Sequence, residues 1–157
     1  MKLVVESDSE EQTRQLGLFF AACLTGGLTV ELNGQLGSGK TALVRAICSG
    51  LGVSDDLVNS PTFVLMQIYS GSRFDVCHFD TYRLADADEF LAIGAEEYVT
   101  DPDTICLIEW GQRVADVLPS DRVIVDITQT GDVTRRLIFR SQGPVGDEVL
   151  QKLETQT

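Results

Sequence analysis

Apolar residues along this chain change their spacing several times, and each change marks an element. Residues 2–6 read as a short strand. Ser9 and Gln12 form an S-x-x-Q capping box that opens a helix. Leu16, Phe19, Phe20, Cys23 and Leu24 then fall on one face of that helix, which Gly26-Gly27 ends; the stripe reads as core packing. The apolar run at 28–32 predicts a buried strand. Leu43, Ile47 and Leu51 predict a helix over 40–51 stopped by Gly52, and Ser54-Asp55-Asp56 an acidic surface loop. Two apolar runs, 63–69 and 74–79, flank Ser70-Gly71-Ser72 as a β-hairpin. Short helical segments follow at 86–93 and 96–99, broken by Gly94. Next come a fully apolar strand at 104–108 and a short helix at 112–117 stopped by Leu118-Pro119. A second hairpin, 123–127 and 134–139, turns around Gly131, and a terminal helix covers 145–153. Hairpins beside strand–helix units predict a three-layer α/β domain with a central mixed sheet, parallel and antiparallel.

Between the strand at 28–32 and the helix at 40–51 lies G-Q-L-G-S-G-K-T, residues 34–41, which fits G-x-x-x-x-G-K-[ST]. That pattern is a phosphate-binding loop, so the domain is expected to be P-loop NTPase-like. Its glycines let the backbone N–H groups from Gly37 through Ser38, Gly39, Lys40, Thr41 and Ala42 turn toward phosphate oxygens. Lys40 is placed to reach the β- and γ-phosphates, the Thr41 hydroxyl to bind Mg²⁺, and the helix N-terminus to favour the anion.

At 157 residues the chain reads as one domain, 1–157, able to bury about 70% of its unfolded surface. Twelve basic against twenty-four acidic residues give a net charge of −12, a field that opposes unaided binding to nucleic acid or an anionic membrane. An RNA substrate would therefore be held mainly by a partner. No apolar run approaches the roughly 20 residues that span a bilayer, and the acidic N-terminus is unlike a targeting peptide. Cys23, Cys48, Cys77 and Cys106 are far apart in apolar patterns, so buried reduced thiols in a cytoplasmic protein are expected.

Hydrolysis needs a carboxylate near the metal. Two apolar strands end in one, V-C-H-F-D at Asp80 and I-C-L-I-E at Glu109. Either acid could hold Mg²⁺ directly or through water while the other positions the attacking water. His78, the single histidine, shares a strand face with Asp80 and could orient it, move a proton, or be structural. Thr62, after Pro61, is placed like a switch threonine that senses the γ-phosphate. Arg83 could neutralise transition-state charge or pair with an acid. Neither asparagine begins N-K-x-D, which favours ATP over GTP. The loop alone also fits a small-molecule kinase or a non-catalytic ATP-gated adaptor.

Together these motifs resemble the TsaE family, the YjeE-type ATPases of bacterial tRNA threonylcarbamoyladenosine synthesis. The residues that carry the resemblance are G-Q-L-G-S-G-K-T at 34–41, S-P-T-F at 60–63, H-F-D-T-Y-R-L at 78–84 and I-E-W at 108–110. The acidic spacing at 10–17 also fits. The match runs from about Glu6 to Arg136, and the tail after Ser141 matches nothing distinctive. Where the family commonly has Asp and Ala, this chain has Gln35 and Ser38; backbone groups do the binding there, so both are tolerated. The resemblance implies an ATPase that binds ATP weakly alone and works with the TsaB and TsaD proteins, reaching tRNA only through that complex. It implies Thr41 and Glu109 as Mg²⁺ ligands, Asp80 near the metal or the catalytic water, and Thr62 in the first switch. Trp110 becomes a sensitive position beside the metal, and Glu10 and Gly131 become parts of the adenine pocket. A monomer is expected for the protein on its own.

Overall fold

The computed structural model describes residues 1–58 and 65–157. The readings for Thr62 and S-P-T-F, and the start of the expected strand at 63–69, lie outside the described residues. The strands are β1 (Lys2–Ser7), β2 (Thr29–Asn33), β3 (Met66–Ser70), β4 (Asp75–Asp80), β5 (Thr104–Glu109), β6 (Arg122–Gln129) and β7 (Arg135–Gln142). The helices are α1 (Glu10–Cys23), α2 (Lys40–Gly50), α3 (Ala87–Ala92), α4 (Ala95–Val99) and α5 (Gly143–Glu154).

The strands make one sheet in the order β1-β7-β6-β2-β5-β4-β3. β6, β2, β5 and β4 run parallel, while β7 runs antiparallel to both β6 and β1, and β3 antiparallel to β4. The sheet is therefore mixed, with helices on both faces. Strand alternation divides the core in two. Ile105 and Leu107 of β5 join Phe20, Leu43, Ile47 and Leu150 on the α1/α2/α5 face. Cys106 and Ile108 join Phe79, Phe90, Val99 and Val114 on the other.

Local chemistry explains most boundaries. Ser9 Oγ accepts from Gln12 N–H at 3.1 Å, and Gln12 Oε1 accepts in return from Asp8 N–H at 2.7 Å, so the capping box closes one residue early. Gly52, at φ +85°, ends the run after α2. Phe19 departs from the expected stripe: it is 39% exposed, while Leu16, Phe20, Cys23 and Leu24 are buried. The stretch expected as a helix at 112–117 forms two 3₁₀ turns, Gly111–Arg113 and Ala115–Val117. All four cysteines are buried and free. Among the described residues no helix is long and apolar enough to cross a membrane.

Candidate functional site

The loop after β2 folds as its glycines demand. A Cβ on Gly34 would lie 2.6 Å from the Ile127 carbonyl oxygen and 2.6 Å from Ser38 Oγ. Gly39 caps α2 in the left-handed region at φ +108°. The first N–H groups of α2 are left without helical acceptors, which makes an anion seat. Lys40 is only 5% exposed, and its Nζ donates to the carbonyls of Gly34 at 2.5 Å and Gln35 at 2.9 Å. Burial lowers its pKa, and the nearby Glu109 and Asp80 carboxylates pull it partly back.

Register delivers the carboxylates. Asp80 pairs with Glu109 across β4 and β5, and Glu109 with Leu32 across β5 and β2, so three parallel strands end level beside the loop. Glu109 shares the α2 face with Ile105 and Leu107, and there its Oε1 accepts from Thr41 Oγ1 at 3.0 Å. Glu109 is buried. Asp80 is half-buried and accepts from Tyr82 N–H at 3.0 Å. Burial raises its pKa, with the Tyr82 N–H opposing and the Glu109 charge adding to the rise. His78 is drawn to Glu109 by a hydrogen bond, not to Asp80: its Nε2 lies 2.6 Å from Glu109 Oε2.

Trp110 has φ +60°, the one non-glycine in that region among the described residues. Such a backbone persists only where its surroundings fix it. Its N–H donates to Leu32 O at 2.8 Å, and its carbonyl accepts from Thr81 Oγ1 at 2.7 Å. The ring then lies with Lys40 Nζ 4.2 Å from its centroid and the Tyr82 ring tilted against it at 5.0 Å. Thr81 N–H also donates to the Glu109 carbonyl at 3.1 Å, so buried Thr81 secures both residues through its backbone and its hydroxyl.

Two cavities meet along the start of α2. One, of about 420 Å³, is lined by Gly37, Gly39, Lys40, Thr41, Ala42, Asp80, Tyr82, Arg83, Glu109 and Trp110. The other, of about 490 Å³, shares Gly39 and Ala42 and adds Glu10, Arg14, Val133 and Arg135. Glu10 thus lies where a base could extend from the phosphate seat. Gly131 does not line that cavity; it borders a third, of about 620 Å³, on the Gly34–Ser38 side of the loop. Arg135 ties the late hairpin to the loop, donating to Ser38 O at 2.8 Å, Thr134 O at 2.9 Å and Gly131 O at 3.2 Å.

The donor set suits Mg²⁺. A hydroxyl and a carboxylate, with a second carboxylate nearby, are hard oxygen ligands, and Mg²⁺ takes few of these and fills its octahedron with water and phosphate oxygens. Among the described residues no group of three His, Cys, Asp or Glu could cage a metal by itself. Ser38 Oγ is buried without a hydrogen-bond partner among the described residues, beside the seat a phosphate would take. Sequence reasoning gave no role to Thr81 and Tyr82, which lie within the 78–84 motif, and missed Arg135. The Thr81 and Arg135 partners are backbone carbonyls, which residue identity does not announce.

Comparison with known proteins places the chain in a family. The family described as "Threonylcarbamoyl adenosine biosynthesis protein TsaE" matches residues 7–137. A protein of Treponema pallidum (strain Nichols) named "tRNA threonylcarbamoyladenosine biosynthesis protein TsaE" is 38% identical over 131 residues, 83% of this chain and 95% of that one. A Bacillus subtilis (strain 168) protein of the same name is 34% identical over 133 residues, 85% of this chain and 82% of its own. The crystal structure of Bacillus subtilis YdiB superposes with a TM-score of 0.82 at 25% identity, covering 99% of this chain and 96% of that one. With a family match over most of its length and relatives above 30% identity, this chain belongs to the TsaE family of tRNA threonylcarbamoyladenosine biosynthesis proteins.

Proposed function

We propose that the chain is a Mg²⁺-dependent ATPase serving threonylcarbamoylation of the adenosine beside the anticodon in tRNA, within a cytoplasmic complex with the TsaB and TsaD proteins. The observation that carries the ATPase part is the convergence of Lys40, Thr41, Asp80 and Glu109 on one cavity at the start of α2. Loop N–H groups and Lys40 bind and orient the triphosphate. Thr41 and Glu109 would hold Mg²⁺, which would supply charge neutralisation for the triphosphate. Asp80 lines the same cavity, where its carboxylate can orient a water for in-line attack. Glu10 and the late hairpin border the space for the base. The net charge of −12 supports a division of labour in which partners carry the tRNA.

The test is ATP hydrolysis by the protein alone and with the TsaB–TsaD pair, together with nucleotide binding. Lys40→Ala is expected to abolish binding, and Glu109→Ala to weaken Mg²⁺-dependent turnover. Unchanged hydrolysis in both variants would sink the assignment of the site. Phosphate transfer to a small acceptor, with none released free, would favour a kinase instead.

A further inference from the structure

His78 lies in the middle of β4 with no exposed surface. It pairs with Gln67 on β3 and Leu107 on β5, and the Tyr69 ring is 6.5 Å away. A polar ring in such a place costs stability unless its nitrogens are used. Nε2 is used, by Glu109 Oε2 at 2.6 Å. Nδ1 has no hydrogen-bond partner among the described residues. A proton on Nδ1 would strand a buried donor, so the neutral ring that leaves least unsatisfied carries its proton on Nε2 and donates it to Glu109.

The consequence is geometric. Glu109 Oε2 is held from the β4 side by His78, and Oε1 from the α2 side by Thr41 Oγ1 at 3.0 Å. One donor on each oxygen sets the rotation of the carboxylate. Glu109 and Thr41 both line the 420 Å³ cavity, so the orientation that His78 enforces also decides which oxygens a cation meets there.

We propose that His78 is a positioning residue for the cation site: it holds Glu109 so that Thr41 and Glu109 present their oxygens to the same ion, without touching nucleotide or metal itself. The inference rests on the Mg²⁺-nucleotide reading above. Outer-shell donors of this kind are worth about 10–100-fold in metal affinity. His78→Leu removes the donor and keeps an apolar filling, while His78→Gln restores an N–H near the reach of Nε2.

The measurement is Mn²⁺ affinity in the presence of ADP, read from the electron paramagnetic signal of free Mn²⁺, beside ADP affinity in EDTA read from Trp110 fluorescence. His78→Leu should weaken Mn²⁺ by about 10–100-fold, leave ADP affinity in EDTA unchanged, and be largely rescued in His78→Gln. Parent-like Mn²⁺ affinity in His78→Leu overturns the inference, as does a loss of ADP affinity in EDTA that parallels the Mn²⁺ loss. If His78→Leu does not fold, His78→Gln against His78→Asn decides, because the shorter amide falls short of Glu109. Mn²⁺ binding lost in Asn and kept in Gln supports the proposal, and equal behaviour overturns it. A parent protein that binds no ADP overturns the nucleotide reading and this inference together, whereas a binding parent with an indifferent His78→Leu overturns the inference alone.

Discussion

Arg122 and Glu31 form a buried ion pair beneath the site, and its removal from one side is the sharpest stability test the fold offers. Arg122 Nε lies 3.0 Å from Glu31 Oε2, with side chains 10% and 4% exposed. Arg122 Nη1 donates to Pro119 O at 2.9 Å. Glu31 Oε1 accepts from Asn33 Nδ2 at 2.9 Å, and Asn33 Oδ1 accepts in turn from Gln112 N–H at 3.1 Å. The pair therefore supports the turn that carries Trp110. Arg122→Leu leaves a carboxylate buried without its cation, which costs about 3–5 kcal/mol. In a chain of this length each kcal/mol shifts Tm by about 2–4 °C, so the variant should melt about 6–20 °C lower. Glu31→Leu added to Arg122→Leu should recover most of that loss, because exchanging a whole buried pair for apolar side chains is commonly neutral or stabilising by about 1–4 kcal/mol. Asn33 keeps Asp126 Oδ1 at 3.3 Å in the double variant. Urea denaturation of the parent, both single variants and the double variant, followed by tryptophan fluorescence and circular dichroism, gives the coupling energy. A loss below about 1 kcal/mol in Arg122→Leu, the scale of a solvated pair, would refute the reasoning. So would a double variant no more stable than the single.

Asp80 carries a pH prediction. Its folded pKa is raised, chiefly by burial, so the folded state holds the proton more tightly than the unfolded state. The stabilising contribution is therefore full below the ordinary carboxylate pKa and is lost as pH rises through the folded value. Asp80→Asn should accordingly be more stable than the parent at neutral pH, an advantage that disappears on acidification, while Mg²⁺-dependent hydrolysis falls; a lower Tm at neutral pH contradicts this. Thr81→Val removes the hydroxyl donor but leaves the Glu109 and Trp110 carbonyls their bonds from the Thr81 and Arg113 N–H groups, so a cost of about 0.5–1.5 kcal/mol in urea melts is expected, with weaker turnover. Phe79→Ala empties the second core where its ring meets Phe90 edge-on at 5.0 Å, and about 3–5 kcal/mol should be lost. The thiols should resist a disulfide reagent until the protein unfolds, since all four are buried and burial pushes Cys48 up to about 12; stoichiometric labelling of the native protein would contradict their placement.

Much of the site was legible because its signals are local. The loop motif needs one strand before it and one helix after it, and both lie where periodicity puts them. The acids at Asp80 and Glu109 end apolar runs, and parallel pairing brings such ends to one edge. Legibility stopped where strand order decides. Alternation places His78 and Asp80 on one face of β4, but the partner of His78 sits on β5, diagonal to its own register mate Leu107. No spacing along the chain reveals that neighbour. The left-handed backbone at Trp110 is equally silent, because tryptophan has no intrinsic preference for it. Phe19 shows the limit of a helical stripe: five positions share a face, but α1 buries only those that its packing covers.

The ammonium of Lys40 already has company. It bonds two carbonyls of its own loop and lies against the face of Trp110. On the proposed nucleotide reading, an arriving triphosphate would meet a competitor, the protein's backbone, and binding would become an exchange of one set of bonds for another. Net affinity is the difference between them, which is small even when each set is strong. A site built in this way can be retuned at a distance: moving the Trp110 turn or the Gln35 carbonyl changes what the lysine must leave behind, without altering any group that touches the nucleotide.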